Sequence, residues 1–339
     1  MKEIIKKIAI SIILSGVISC FIIPVSCKLT PEGIKIITSD YNTPVIESVS
    51  VTGEKNLRIV FSKSIKLKKY SVNEEISISE CNVETCPDKG GVCFVELTFD
   101  SVLEPGFKYS LFGIVSDEIG NTLTFSVPFT GINSNIPNMR IVEVHPTNGK
   151  YSVSGNPVLI TEYVVFDVLS DGNLAGLEFH SAYDGEEKKF VFPPVKVKQG
   201  EKIVLHLRTN EEGAISETGD DLSLSTAGFS KNNVRDLWQE ENSARLGDKI
   251  DIVYLKNSYD ERIIDGLCYA ASSNTDWPKE SFTEACKLLI ENNVWQSDLV
   301  EDAILSDGLS TTKSLVRVSD FNCKDSWIIS PCKENAAKL

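Results

Sequence analysis

The sequence predicts an all-β protein, and three observations support this fold class. Short apolar runs alternate with polar residues in a period of two, as in residues 57–61 and 164–168, and this period is that of a β-strand. Turn-forming residues such as Asp171-Gly172-Asn173 and Gln199-Gly200 separate the runs. A helical apolar stripe is confined to one stretch after residue 281. Short strands at this spacing are typical of β-sandwiches and barrels.

The N-terminus has the features of a secretory signal peptide. Lys2, Lys6 and Lys7 precede an apolar run over residues 8–19, which is too short for a membrane span. Val17-Ile18-Ser19-Cys20 resembles the bacterial lipobox, in which the cysteine is acylated, with palmitate for example, and becomes the mature N-terminus. We therefore predict a lipoprotein signal peptide at residues 1–20 and a tether at residues 21–43.

Two alternatives to acylation at Cys20 remain open. Cys27 follows Val25-Ser26 and precedes a polar segment, which suits a mature start, although Pro24 fits the motif poorly. The other alternative is a plain secretory signal with two incidental cysteines. Acyl chains would hold the protein to a bilayer, because each buried methylene contributes ~0.8 kcal/mol.

Residues 44–133 are predicted to form the first β-sandwich. Their apolar alternation and their length of about ninety residues suit a small sandwich. The segments 60–65 (VFSKSI), 106–111 (GFKYSL) and 117–123 (DEIGNTL) resemble the Ig-like modules of bacterial surface-layer proteins. Asp117, Glu118 and Asn121 carry oxygen ligands suited to Ca²⁺, but their spacing is not that of an ion loop. A turn held by local side-chain hydrogen bonds is the preferred interpretation.

Residues 134–138 are a predicted linker, residues 139–332 the second domain, and residues 333–339 a tail. Within the second domain, residues 139–144 (MRIVEV), 162–176, 195–207 and 248–269, followed by 313–317 (KSLVR) and 325–327 (DSW), resemble the strands of a lamin-tail domain. The resemblance implies an Ig-like β-sandwich, and hence two Ig-like domains in tandem. Long inserts at residues 211–246 and 272–310 depart from the family pattern. Ser281 to Glu284 match a capping box, which predicts a small helix over residues 282–293.

The charge balance narrows the class of partner. The formal net charge is −14, and loss of the leader, which carries three lysines and one glutamate, leaves the mature chain near −16. Nucleic acids and anionic lipids are bound through positive charge, so this balance argues against both as partners. Acid pairs such as Asp220-Asp221 lie among Gly, Ser and Thr and indicate solvated loops rather than a metal site.

Nine cysteines in an exported chain indicate disulfides. The candidates are Cys86, Cys93, Cys268, Cys286, Cys323 and Cys332. We favour Cys86–Cys93, which bracket a short turn, and Cys323–Cys332, although the four cysteines of the second domain allow three connectivities. A zinc site is disfavoured, because the spacings lack paired C-x-x-C motifs.

The sequence contains no catalytic, nucleotide-binding or zinc-protease motif. His180 and His206 fall opposite apolar neighbours on predicted strands, which favours solvent-facing rings. Trp295 and Trp327 are predicted to be core residues, whereas Trp238 and Trp277 are possible ligand contacts, because exposed aromatic rings can stack on sugars.

These features predict a non-catalytic, exported lipoprotein on a bacterial membrane, acting in adhesion, scaffolding or protein interaction, without cofactor or metal. The resemblance to lamin-tail modules implies tethering or interaction but fixes no ligand. The expected partners are the lipid bilayer, through the acylated cysteine, and an envelope protein or glycan. The alternative function is a carbohydrate- or peptidoglycan-binding module, and a hydrolase with an unrecognised site is the third.

Overall fold

The computed structural model describes residues 42–73, 76–86, 92–153, 156–185, 188–209, 212–227, 230 and 233–332, together with the backbone of two short strands near residue 30. In this part of the chain the structure is mostly β-strand, with one α-helix, so the all-β prediction is confirmed. The predicted signal peptide, both acylation candidates (Cys20 and Cys27), most of the tether, the side chain of Cys86 and the tail lie outside the described residues.

The first nine strands precede residue 131. Seven of them form two sheets, in the orders β3-β4-β7-β6 and β5-β8-β9, and we call these seven strands the N-terminal region. The strands are β1 (Leu29–Thr30), β2 (Gly33–Ile34), β3 (Ile46–Gly53), β4 (Asn56–Phe61), β5 (Lys66–Val72), β6 (Ile78–Cys86), β7 (Val92–Phe99), β8 (Lys108–Ser116) and β9 (Thr122–Thr130).

The core of the N-terminal region is apolar and follows directly from the alternating sequence. Leu57 pairs with Leu97 and Ile59 with Val95 across β4 and β7, and all four are buried. Aromatic rings from β9 fill the space between the sheets. Phe125 lies so close over Gly113 that a Cβ there would come within 2.2 Å of its ring. The glycine is therefore required by close packing.

Strand β5 is an edge strand of the three-stranded sheet. It carries Lys66, Lys68 and Lys69, all exposed, on a chain whose overall charge is strongly negative. At one end of this sheet, Asp117 accepts hydrogen bonds from the backbone N–H groups of Ile119 (3.1 Å) and Asn121 (2.8 Å). The predicted side-chain-stabilised turn is therefore present at residues 117–121.

The C-terminal region comprises the remaining strands and the helix. These are β10 (Met139–His145), β11 (Gly149–Val153), β12 (Asn156–Ile160), β13 (Tyr163–Val168), β14 (Gly172–Asn173), β15 (Leu177–Ser181), β16 (Phe190–Val191), β17 (Lys196–Val197), β18 (Lys202–His206), β19 (Arg235–Trp238), β20 (Ile250–Asn257), β21 (Ile263–Ala270), α1 (Glu280–Glu291), β22 (Ile304–Leu305), β23 (Lys313–Arg317) and β24 (Trp327–Pro331).

Two sheets enclose the larger core of the C-terminal region. A six-stranded sheet has the order β19-β18-β13-β10-β23-β24, and a five-stranded sheet has the order β16-β15-β20-β21-β22. Phe166 and Leu205 of the first sheet share one apolar cluster with Phe179 and Leu267 of the second. An ion pair between Arg317 and Asp265 joins β23 of one sheet to β21 of the other. We call the face of the six-stranded sheet directed away from this core its outer face.

Helix α1 is present near the predicted stretch, but it begins at Glu280 and ends at Glu291. The expected capping box is wrong. Lys279 occupies the N-cap without a side-chain hydrogen bond, and the Ser281 hydroxyl donates instead to the Ala182 carbonyl, at 3.0 Å. A tertiary contact with Ala182, the residue directly after β15, thus takes the place of the local cap.

Among the described residues, no helix has both the length and the apolar character that a membrane span requires.

The favoured Cys323–Cys332 bond is absent, and both residues are free thiols in the structure. The extended strand β24 lies between them, and its five residues span roughly 17 Å. A disulfide requires Cα atoms within about 7 Å. Cys93 is buried in the core of the N-terminal region, and the side chain of Cys86, its predicted partner, lies outside the described residues.

Candidate functional site

The outer face of the six-stranded sheet has two parts, and one of them is a buried row of rings. His145, Tyr163, His206 and Trp238 are successive cross-strand partners on β10, β13, β18 and β19. All four are buried, because β12 and the chain before β19 pack on this part of the face. The prediction that His206 faces solvent is therefore wrong.

His206 and Trp238 form the most tightly packed part of the row. Their rings are stacked with centroids 3.8 Å apart, and His206 Nε2 lies 2.7 Å from Asp236 Oδ1. The Trp238 Nε1–H group donates to Ser225 Oγ at 3.0 Å. A sugar-stacking role for Trp238 needs an exposed ring face, and the structure leaves this side chain only 5% exposed.

His145 lies at the other end of the row, beside Cys332. His145 Nδ1 is 3.3 Å from Ser314 Oγ and 3.6 Å from Cys332 Sγ, and the neighbouring Tyr163 hydroxyl donates to Glu143 at 2.6 Å. Burial lowers the pKa of His145 to about 4 and raises the pKa of the Cys332 thiol. Both groups are therefore neutral near pH 7, and this pair is not an activated thiolate–imidazolium couple.

His180 is also buried, contrary to prediction. Its ring stacks on Tyr254 at 4.8 Å, and Nε2 lies 3.1 Å from Glu178. On the same sheet, Asp251 accepts hydrogen bonds from the Ser181 hydroxyl (2.6 Å) and from three backbone N–H groups. Burial raises the pKa of Asp251 to about 7. These contacts fix strand and loop positions around β20.

The second part of the outer face is an open groove of about 340 Å³. We call it the sheet groove. Its lining residues are valines, charged side chains and one serine: Arg140, Val142, Glu143, Asp167, Lys202, Val316, Arg317, Val318, Ser319 and Asp320.

The charges of the sheet groove are arranged as pairs. Arg140, Asp167 and Lys202 are cross-strand neighbours on β10, β13 and β18. Arg140 forms an ion pair with Asp320, and Lys202 forms one with Asp167. Arg317 also borders the groove, but its side chain is buried and is held by both carboxylate oxygens of Asp265 on the other sheet, at 2.8 and 3.2 Å. The pairs Arg140–Asp320 and Lys202–Asp167 therefore supply the positive and negative groups that the groove presents around its apolar floor.

Exposed apolar side chains extend this floor. Ile328 is the cross-strand partner of Val316 and is 47% exposed. Val318 is 54% exposed, and Phe321, in the loop that borders the groove, is 79% exposed. A large exposed aromatic beside arginine and paired charges is typical of protein interaction surfaces.

The sequence prediction missed the sheet groove, although a signal for it was present. Arg140, Asp167 and Lys202 are charged residues within strands that otherwise read as apolar. These three side chains come together only because β10, β13 and β18 are neighbours in the sheet. The periodicity of the sequence predicts the strands but not the order in which they pair.

The remaining predicted sites are distributed elsewhere. Trp277 is half-buried: its ring stacks on Phe282 at 6.2 Å and its Nε1–H group donates to the Asp298 carbonyl at 2.7 Å. Trp295 and Trp327 are core residues, as predicted. No group of three or more His, Cys, Asp or Glu side chains suited to a metal ion occurs in the described ranges.

Comparison with known proteins places the C-terminal region in a family. The chain is 26% identical over 200 residues to a protein of Treponema pallidum (strain Nichols) described as uncharacterized. The match covers 57% of this chain and 48% of that relative, so the chain spans about half of the relative's length.

A DUF4876 family protein from Bacteroides thetaiotaomicron VPI-5482 resembles 78% of this chain over 90% of its own, at 10% identity and a TM-score of 0.31. A similarity at that level does not establish a shared fold or a shared function. Residues 137–329 match the family model TP_1001_2nd, described as a protein second domain. Because this match covers more than half of the chain, the protein belongs to the TP_1001_2nd family.

Proposed function

We propose that this protein is an exported, membrane-anchored lipoprotein of a bacterial envelope that binds a partner protein without catalysing a reaction. The sheet groove is the observation that carries the proposal. Its valine floor and its paired charges suit an extended segment of a partner protein that carries both apolar and charged side chains. The exposed Phe321 follows the lining residue Asp320 in the chain and adds an apolar side chain next to the groove.

The non-catalytic assignment is supported by the state of the reactive groups. His145, His180 and His206 are all buried, each at most 1% exposed, and engaged with neighbouring side chains. None of them borders the sheet groove. A general base must reach its substrate within hydrogen-bond distance, which these positions do not allow in the described conformation.

We also propose that the two regions are Ig-like sandwiches, the second of lamin-tail type. Sheets of four and three strands around one apolar core support this for the N-terminal region, since seven strands in this division are typical of Ig-like domains. The larger sheets and the helix of the C-terminal region reflect the inserts around residues 211–246 and 272–310.

Photo-crosslinking tests the binding role. A photoreactive amino acid replacing Phe321 or Val318 is expected to capture one envelope protein in intact cells. The same probe at Val191, which is 56% exposed on the other sheet, is the matched control. Capture should fall by about tenfold in an Arg140→Glu, Lys202→Glu background, because charge reversal opposes a partner that fits the present charges. If the probe at Val191 captures the same protein in equal amount, the sheet groove is not a specific binding site.

Metabolic labelling tests the anchor. A labelled fatty acid should enter the wild-type protein and Cys27→Ser, but not Cys20→Ser. Label lost only in Cys27→Ser would move the anchor to the alternative site, and an unlabelled wild-type protein would reject lipidation.

Carbohydrate binding is the second candidate, and Trp277 is the residue that favours it, since Trp238 is buried. Glycan-array binding that disappears in Trp277→Ala and persists in Phe321→Ala would support that function over the first.

A further inference from the structure

Helix α1 and strand β21 each bring one cysteine to the same buried position. Cys268 lies on β21 and Cys286 on α1, and both side chains are fully buried in the larger core. The helix lies directly on the strand, because a Cβ at Gly266 would come within 2.7 Å of Leu289.

The two thiols are neighbours, and both are free in the structure. They belong to one apolar cluster, on two elements that pack against each other, and each perturbs the pKa of the other. Cys286 Sγ also donates to the Ser297 carbonyl at 3.4 Å. The other two sulfurs of this region have different neighbours: Cys332 contacts Ser314, and Cys323 contacts Ser326.

We propose that Cys268 and Cys286 form the disulfide of the C-terminal region in the mature protein, and that Cys323 and Cys332 remain thiols. Of the three pairings open to four cysteines, the geometry thus selects one. The inference goes beyond the binding role and takes from it only the exported location, where an oxidising environment keeps such bonds closed.

The reaction is a thiol–disulfide exchange with a disulfide of an oxidoreductase or a small molecule such as glutathione disulfide. One thiolate attacks that disulfide and releases its first thiol, and the second cysteine then displaces the other thiol. The S–S bond forms, the two cysteines lose two electrons and two protons, and the oxidant leaves as two thiols.

Both sulfurs are covered in the finished fold. The exchange therefore takes place before α1 has fully closed over β21, while both thiols are still accessible.

The bond would compensate for a weakness of α1. The helix has no side-chain cap and no basic residue in its last turn, so its own end interactions hold it poorly. A disulfide to β21 would fix the helix to the sheet and would close a short loop through the insert before it.

Peptide mapping of the purified full-length protein tests the pairing directly. After oxidation with glutathione disulfide and trypsin cleavage without reduction, the four cysteines fall in four peptides, 263–279, 280–287, 318–324 and 325–333. We expect 263–279 and 280–287 to be joined, and the other two to be alkylated. Alkylated Cys268 and Cys286, or any other pairing, would overturn the proposal.

Reduction supplies a second measurement. Dithiothreitol should lower the Tm of the oxidised wild type by roughly 6–12 °C. The same fall is expected in Cys323→Ser, the matched control, and none in Cys286→Ser. If Cys286→Ser does not fold, the test rests on the wild type and Cys323→Ser. A Tm that reduction leaves unchanged in both of these proteins would contradict the disulfide. Failure here leaves the groove untouched, because crosslinking at Phe321 does not involve either thiol.

Discussion

The two regions of this molecule differ in the kind of side chain that they bury between and around their β-sheets. The N-terminal region has an apolar core of alternating strand residues, and its charged side chains lie mostly at the surface. The C-terminal region buries all three histidines of the chain and several ion pairs, such as Arg245–Asp184 and Arg317–Asp265. Buried charges are costly unless each is paired, so the C-terminal region depends on matched partners that are distant in sequence.

The largest expected difference concerns a buried charge. Asp265→Ala removes both acceptors of Arg317 and the acceptor of the Ile141 N–H group. We expect a loss of about 3–5 kcal/mol in the free energy of unfolding, because an uncompensated charge stays buried. Urea denaturation measures it.

The matched control is Glu96→Ala in the N-terminal region, where the pair with Arg58 is partly exposed and 3.4 Å long. It should cost at most about 1 kcal/mol. Equal losses in the two variants would show that the regions do not differ in their use of charge.

The pH dependence of stability should reside in the C-terminal region. His145 has a pKa of about 4 in the fold, against about 6.5 when unfolded, so the unfolded chain takes up the proton first on acidification. Stability from this residue is complete above pH 6.5 and falls by about 3 kcal/mol as the pH reaches 4.

Asp251 acts in the opposite sense, because its raised pKa of about 7 makes stability fall as the pH rises from 4 to 7. The measurement is therefore the difference between wild type and His145→Gln in urea denaturation across this range. A difference that does not change with pH would refute the assignment.

Close apolar packing should dominate in the N-terminal region. Gly113→Ala places a Cβ against Phe125 and is expected to cost about 1–3 kcal/mol through displacement of the ring. Gly219→Ala is the control, since a Cβ added there would meet no atom within 4 Å. Thermal unfolding followed by near-UV circular dichroism reports both; a Tm for Gly113→Ala equal to that of the control would mean that the ring moves freely.

The smallest effect on stability is expected at the sheet groove. Phe321→Ala removes an exposed ring, so the free energy of unfolding should change by less than about 0.5 kcal/mol. Partner capture through a probe at Val318 should nevertheless fall in this variant. A large loss of stability would instead identify Phe321 as a packing residue.

The difference between the regions also explains what could be predicted from sequence. The alternation at residues 57–61 identified a strand and its inward face, because polarity and burial coincide there. At His180 and His206 the same rule failed, because both rings are buried. A polar position on a strand reads as solvent-facing, and the sequence does not reveal that other chain segments cover it. The cap at Ser281 failed for a related reason, since the Ser281 hydroxyl bonds to a tertiary carbonyl and not to a local backbone N–H group.

The lysines of β5 have a consequence for the membrane-anchored protein that we propose. A sheet edge offers unpaired backbone groups to any similar strand, and anchoring raises the frequency with which copies meet. Lys66, Lys68 and Lys69 would bring like charges together whenever two such edges approached in register. This mutual repulsion would oppose the joining of neighbouring molecules into continuous sheets, so we expect it to limit aggregation of the N-terminal region when the anchored protein is concentrated.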